Sequence, residues 1–313
     1  MKIHLSQPLS FNQLGQRANQ EDARFPDVDR TTQDRSPFFV VCDGVGGQDR
    51  GEVASRTVCD AFGEAMAAYD LSQPFGQQHF AEVFADVYGV FSQTAKSTCE
   101  SMATTLTFIC FHADGFTAAH CGDSRIYQVR PGQGIVYKSE DHSLVQQMVR
   151  GGIIRPEEAE SHPQSNIITR CIMLPQDDGD QPMASVLTTR DIAPGDYFFL
   201  CSDGVVHQVT DAQLTEILSD QDHTDDEKMA LLSQLSKDSI DNNTAYLLHV
   251  DSIDYTPEEQ QDAPATAPVI YDVEPGKVIG ANGDDSIQTP TTNPIKKSAT
   301  PSLMGRIKGF LGI

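Results

Sequence analysis

Two near-identical apolar runs, Phe38-Phe39-Val40-Val41-Cys42 and Phe198-Phe199-Leu200-Cys201, each lead into an aspartate followed by glycine, Asp43-Gly44 and Asp203-Gly204. A short unbroken apolar run with aromatic and β-branched residues reads as a strand buried on both faces. A chain with two such strands has to place them between other layers, and the carboxylate that closes each run is then held at the rim of a core. Three more acidic phrases sit at predicted strand ends: Asn19-Gln20-Glu21-Asp22, Gly122-Asp123-Ser124-Arg125 and Asp241-Asn242-Asn243-Thr244. One alone would mean little, because Asp-Gly is the commonest way to write a turn. Asp114-Gly115, between the strand-like segments 105–111 and 116–121, is such a plain hairpin turn. Several anionic groups at one rim repel each other and require a cation. Oxygen donors with no Cys or His phrase among them favour magnesium or manganese over zinc.

Helical spacing marks two early amphipathic segments, one carrying Ala54, Val58, Ala61, Phe62, Ala65, Met66 and Tyr69, the other Phe80, Val83, Phe84, Val87 and Phe91. The capping pairs Ser143/Gln146, Thr210/Gln213 and Thr224/Glu227 mark three later helix starts. Strands and helices do not alternate one for one, which disfavours a parallel doubly wound sheet. An α+β fold with helices packed on mostly antiparallel sheets fits better. A loop-rich insertion covers residues 150–185, with Gly151-Gly152, Pro156, Pro163 and Pro175. After about Asp254 the composition shifts. Residues 255–302, rich in Pro, Thr, Asp, Glu and Gln, read as a disordered acidic linker beyond a folded body of residues 1–254. Residues 303–313 read as a short basic amphipathic tail, a mobile end or a contact for an anionic membrane surface or a partner protein.

The net charge of -23 argues against nucleic-acid binding, which needs Lys and Arg to neutralise phosphates. Of the seven cysteines, Cys42, Cys110, Cys121 and Cys201 fall in apolar runs, and no Cys-x-x-Cys spacing occurs. Free thiols in a reducing, cytoplasmic compartment are therefore expected. No signal-peptide core begins the chain and no apolar run is long enough to span a membrane. Nothing calls for an obligate oligomer, so a monomer is expected. A nucleotide-binding Gly-x-x-x-x-Gly-Lys loop is absent.

Taken in order, Arg17 with Glu21-Asp22, Asp43-Gly44-x-Gly-Gly, Gly122-Asp123-Ser-Arg, Asp141-His142-Ser143, Ser202-Asp203-Gly204 and Asp241-Asn-x-Thr244 resemble the protein phosphatase type 2C family in its bacterial form. The resemblance covers roughly residues 10–252, spacings included, and six ordered motifs make it specific. It implies two antiparallel sheets packed as a sandwich, helices on both outer faces, and a binuclear Mn²⁺ or Mg²⁺ centre at one end. Carried over position by position, Asp43 is the bridging ligand and Gly44 lends its carbonyl to one ion. Asp203 and Asp241 bind the other. Glu21 and Asp22 match positions that hold metal-bound waters, and Asp123 matches one that supports a third ion. Arg17 matches the residue that grips the substrate phosphate.

The implied activity is hydrolysis of phosphoserine and phosphothreonine in proteins by a metal-bound hydroxide, with phosphoprotein substrates and a serine/threonine kinase as partners. Two cations lower the pKa of a bridging water and neutralise phosphoryl oxygens. Arg17 can take phosphate oxygens in a bidentate fork. The glycines after Asp43 allow close backbone approach and positive φ. Other readings stay open. Glu21 or Asp22 alone can be a helix cap or surface charge, and Asp123 can be a turn residue paired with Arg125. A silent phosphoprotein-binding relative is an alternative, although it would be expected to lose a metal position. A phosphatase for another phosphomonoester is a further one. Val45 follows Asp-Gly where many eukaryotic relatives carry a His, so the proton donor is open. His162 in the flap-like insertion is the side-chain candidate, against the plainer reading of a loop histidine. His142 reads as structural.

Overall fold

The computed structural model describes residues 1–27, 37–45, 50–98, 101–159, 161–175, 181–255 and 269–281. In chain order the elements are β1 (Lys2–Leu5), β2 (Leu9–Gln13), β3 (Asp22–Phe25), β4 (Phe38–Asp43), α1 (Gly51–Met66) and α2 (Gln77–Thr98). Next come β5 (Ala103–Thr104), β6 (Leu106–His112), β7 (Gly115–Cys121), β8 (Arg125–Arg130), β9 (Gly134–Lys138), α3 (Leu144–Arg150), α4 (Pro156–Ala159) and β10 (Ile172–Met173). The last part holds β11 (Ala184–Thr189), β12 (Tyr197–Cys201), α5 (Asp203–Val206), α6 (Asp211–Ser219), α7 (Asp225–Ser236), β13 (Asn243–Asp254), β14 (Ile270–Glu274) and β15 (Lys277–Ala281).

Two large sheets form. One runs β15-β14-β11-β7-β6-β4-β3, the other β1-β13-β12-β8-β9 with β2 also on β13. Both are antiparallel throughout. The twin apolar runs explain why the sheets stack. On β4, Phe38, Val40 and Cys42 face α1 and α2 and pack with Val58, Phe62, Phe80 and Phe84. Phe39 and Val41 face the other way, into a layer shared with Phe198, Leu200 and Tyr246 of the second sheet. Phe199 and Cys201 complete the alternation by packing on Leu214, Ile217 and Leu232 of α6 and α7. Each fully buried Phe contributes roughly 2–3 kcal/mol of transfer free energy. The result is the expected α+β sandwich with helices on both outer faces.

The caps follow the sequence closely. Thr210/Gln213 and Thr224/Glu227 make full capping boxes. Ser143 accepts from the Gln146 amide, but the Gln146 side chain turns to Glu140 at 2.6 Å, so only half of that box forms.

One expectation fails. Within the segment read as a disordered linker, residues 269–281 are ordered: β14 pairs with β11 and β15 closes a hairpin on it. Val273 is fully buried in the core under α2. The physical reason is an edge. Without the hairpin, β11 would present unpaired backbone groups to water, and Ile270, Val273 and Val278 supply the apolar side chains that dock there. The basic tail at 303–313, with Arg306 and Lys308, lies outside the described residues, as do Gly46 and Gly47. No helix among the described residues is long and apolar enough to cross a membrane. Cys42, Cys110, Cys121 and Cys201 are buried free thiols.

Candidate metal and phosphate site

The acidic phrases meet at one end of the sandwich, where both sheets run out. Asp22 and Asp43 are direct cross-strand partners on β3 and β4. Asp203 opens α5 straight after β12, and Asp241 precedes β13, which pairs with β12. Asp123 lies in the connection from β7 of the first sheet to β8 of the second. The site is therefore assembled between the sheets.

Backbone clamps fix these positions. The Asp43 carbonyl accepts from the Thr105 amide at 2.8 Å and the Thr104 hydroxyl at 2.9 Å, and its amide donates to Thr105 Oγ1 at 3.0 Å. Thr105 Oγ1 also lies 2.7 Å from Ser124 Oγ, which ties the Asp43 strand to the turn holding Asp123. Gly44 is required by close approach and not by positive φ: a Cβ there would stand 2.5 Å from the Gly51 carbonyl at the start of α1. That corrects the conformational reason given by the sequence. Asp123 does not pair with Arg125 by hydrogen bond. The Arg125 fork is taken by Asp141 through two 2.7 Å bonds.

Sequence reasoning passed over Asn242, and it is the joint of the site. Its Oδ1 accepts from the Glu21 amide at 2.8 Å, while its Nδ2 donates to the carbonyls of Leu14 at 2.9 Å and Asn19 at 3.0 Å. It thus holds the loop of Arg17 and Glu21 against the loop of Asp241. The side chain following Asp241 in the same phrase was the available signal. Gly15 works with it: at φ 58, its missing Cβ leaves room for the Asp241 carbonyl, which would lie 2.1 Å away.

Electrostatically the cluster is frustrated. Burial raises the Asp43 carboxyl well above its ordinary range, with Asp22, Asp203, Asp123 and Asp241 adding to the shift. Asp22, buried and accepting from Ser202 Oγ at 2.7 Å, is pushed up to about 7 by burial, with Asp203 and Asp241 contributing. Asp123 is pushed up to about 8 by burial and by Asp203 and Asp141. Asp203 is raised by burial as well. Burial also raises Glu21, against the pull of Arg17. Arg17 stands half-exposed at the rim, donating to Asp241 at 2.6 Å, and it also feels Glu21 and Asp43.

Among the described residues, no three His, Cys, Asp or Glu side chains stand as a finished metal-ligand set. Asp22 is turned onto Ser202 and Asp241 onto Arg17. Two buried carboxylate oxygens, Asp22 Oδ1 and Asp203 Oδ1, nevertheless have no hydrogen-bond partner among the described residues. Buried unpaired oxygens amid mutually repelling carboxylates are what a hard divalent cation satisfies. The residues fit such an ion.

His162 uses one ring nitrogen within its own flap loop. Its Nδ1 accepts from the Gln164 amide at 3.2 Å and its carbonyl from the Ser165 amide, inside its own loop. His142 is structural, as expected: its backbone bonds Gly122 and Thr169, and its ring stacks on His120 at 4.5 Å.

A sandwich of antiparallel sheets with helices outside and a carboxylate cluster between the sheet ends defines a fold and site shared with known proteins. The family model for protein phosphatase 2C matches residues 15–243, and the chain belongs to that family. It is 31% identical over 288 residues to the serine/threonine protein phosphatase PstP of Mycobacterium tuberculosis, an alignment covering 90% of this chain and 49% of that one. The chain thus spans about half the length of this relative. Among solved structures, a bacterial serine phosphatase superposes with a TM-score of 0.67 at 28% identity, covering 80% of this chain and all of the other. The catalytic domain of PstP in complex with two manganese ions gives 0.63 at 26% identity, covering 79% and 99%.

Proposed function

We propose that this chain hydrolyses phosphoserine and phosphothreonine in proteins at a centre holding two Mn²⁺ or Mg²⁺ ions. The observation that carries the reading is the buried, unsatisfied carboxylate set contributed by both sheets, with Arg17 at its open rim. Asp43, the Gly44 carbonyl, Asp203 and Asp241 would hold the two ions, Glu21 and Asp22 would act through water, and Asp123 would serve a third. Such ions activate water for attack on phosphorus and offset phosphoryl charge.

The chain's own residues do the rest. Thr104 and Thr105 hold the Asp43 backbone, and Asn242 keeps the two rim loops in register. Arg17, planar and permanently charged, offers a fork to two phosphoryl oxygens where a dianion would meet the carboxylate rim. His162 is proposed to give the leaving alkoxide its proton from the flap. Phosphoproteins and the kinase that makes them are the expected partners, by analogy with relatives that carry the name serine/threonine protein phosphatase.

The test is aryl phosphate hydrolysis with and without Mn²⁺, for the wild type and Asp203→Asn. Turnover only with the metal, falling by about 100-fold or more in the variant, is expected, at the upper range for loss of a metal-site group. Chelator-resistant turnover, or an Asp203→Asn protein of wild-type activity, would overturn the reading.

A further inference from the structure

One row of side chains crosses the seven-stranded sheet at its site end. Thr107 is the cross-strand partner of His120, His120 of Ser185, and Ser185 of Asp272. Side chains opposite one another in register share a face, and Ser185 and His120 have the parity of Leu187 and Ala118, which face the second sheet. The row is buried and polar: His120, Ser185 and Asp272 are all among the buried residues.

A directed chain of hydrogen bonds runs along it. The Gly122 amide donates to His142 Nδ1 at 3.2 Å, so the other ring nitrogen carries the proton. His142 Nε2 then donates to Ser185 Oγ at 3.0 Å, and Ser185 Oγ donates to Asp272 Oδ1 at 3.3 Å. Arg170, within the flap-like insertion, donates to the same Asp272 oxygen at 2.8 Å. His120 keeps the His142 ring upright by parallel stacking, 8° between planes, and bonds the Glu140 carbonyl at 2.8 Å. The Gly122 carbonyl closes the loop by accepting from the His142 amide at 2.9 Å. Gly122 immediately precedes Asp123.

We propose that Asp272, on a hairpin beyond the family-matched residues 15–243, is a positioning residue for the candidate metal site. Through Ser185 and His142 it fixes the backbone at Gly122 and hence the direction of the Asp123 carboxylate, while through Arg170 it anchors the flap. The hairpin is on this account a working part of the catalytic body. Groups that orient metal ligands from behind typically carry 10–100-fold in affinity or activity. Asp272 stands three hydrogen bonds from Gly122, so the lower end applies.

The metal part of the inference rests on the reading in the previous subsection; the backbone part does not, and the test separates them. Amide hydrogen exchange at Gly122–Ser124 and calorimetric Mn²⁺ binding are measured on the full chain for the wild type, Asp272→Ala, Asp272→Asn and Ser185→Ala. Asp272→Ala and Ser185→Ala are expected to speed exchange there and weaken Mn²⁺ binding by about 10-fold each. Asp272→Asn keeps an acceptor oxygen and should stay within about 3-fold of wild type, a rescue that mere loss of hairpin docking would not show. If Asp272→Ala fails to fold, Ser185→Ala decides, since the β11–β14 ladder is backbone and stays in place. Exchange and Mn²⁺ binding within about 2-fold of wild type in Ser185→Ala would overturn the proposal. A wild type that binds Mn²⁺ but cleaves no phosphate ester would sink the functional reading and leave the exchange result standing.

Discussion

Remove the divalent ions, raise the pH from about 6.5 to about 8, and the protein should lose stability; restore Mn²⁺ and the trend should vanish or reverse. A carboxyl whose folded pKa lies above its unfolded value stabilises the fold while protonated. That contribution is complete below the unfolded pKa and is lost as pH rises through the folded one. Asp22 moves from 3.8 to about 7 and Asp123 from 3.8 to about 8. Integrating the linkage across the window gives on the order of 1 kcal/mol for each of the two. Together that is about 2 kcal/mol, and Asp43, raised by burial beside them, acts in the same direction. At 2–4 °C per kcal/mol for a domain of this size, the metal-free Tm should fall by roughly 5–10 °C.

The window is chosen because histidines oppose the effect below it. His112, lowered to about 4 by burial, and His120 and His142, also lowered by burial, are neutral in the fold. Each favours unfolding once the unfolded chain takes up a proton, below about 6.5, and is silent above. Thermal melts in chelator and in excess Mn²⁺, at closely spaced pH values, read the difference. A metal-free Tm that is flat or rising over the window would refute the electrostatic account. So would an Asp123→Asn protein that keeps the full slope.

Other perturbations test separate parts. Gly15→Ala places a Cβ 2.1 Å from the Asp241 carbonyl at φ 58; it should cost about 2 kcal/mol or more in denaturant melts and lower kcat/KM on aryl phosphate, and unchanged kinetics would detach Gly15 from the placement of Arg17. Truncation after residue 281 should leave aryl phosphate turnover within about 2-fold, whereas truncation after residue 254 should lower Tm by roughly 5 °C or more, because it uncovers β11 and the pocket of Val273. Substitution of Arg155, His162 or Asn166 by Ala should shift the ratio of phosphopeptide to aryl phosphate hydrolysis, as expected of a loop on a rigid scaffold. Equal losses on both substrates would contradict that.

How far the amino-acid order reveals these features depends on the range of the interaction involved. The twin apolar runs are legible because a strand buried on both faces has no polar alternation to blur it, and β4 and β12 are such strands. Helix starts at Thr210 and Thr224 are legible because capping is a contact three residues long. The hairpin of β14 and β15 was hidden because its two short strands sit amid Pro, Thr and acidic residues, and composition averaged over that stretch outweighs them. Asn242 and Gly15 were hidden for a different reason. Their importance lies in bonds and contacts to residues more than two hundred positions away, which no local pattern encodes.

Asp22 and Asp43 lie on strands of one sheet, whereas Asp203 and Asp241 flank strands of the other, so neither half of the molecule would own a complete coordination set. An ion seated among them would act as a rivet between two leaves. During synthesis such an ion would have nowhere to lodge until the polypeptide had emerged past position 241, and affinity for it would gauge whether the leaves have closed.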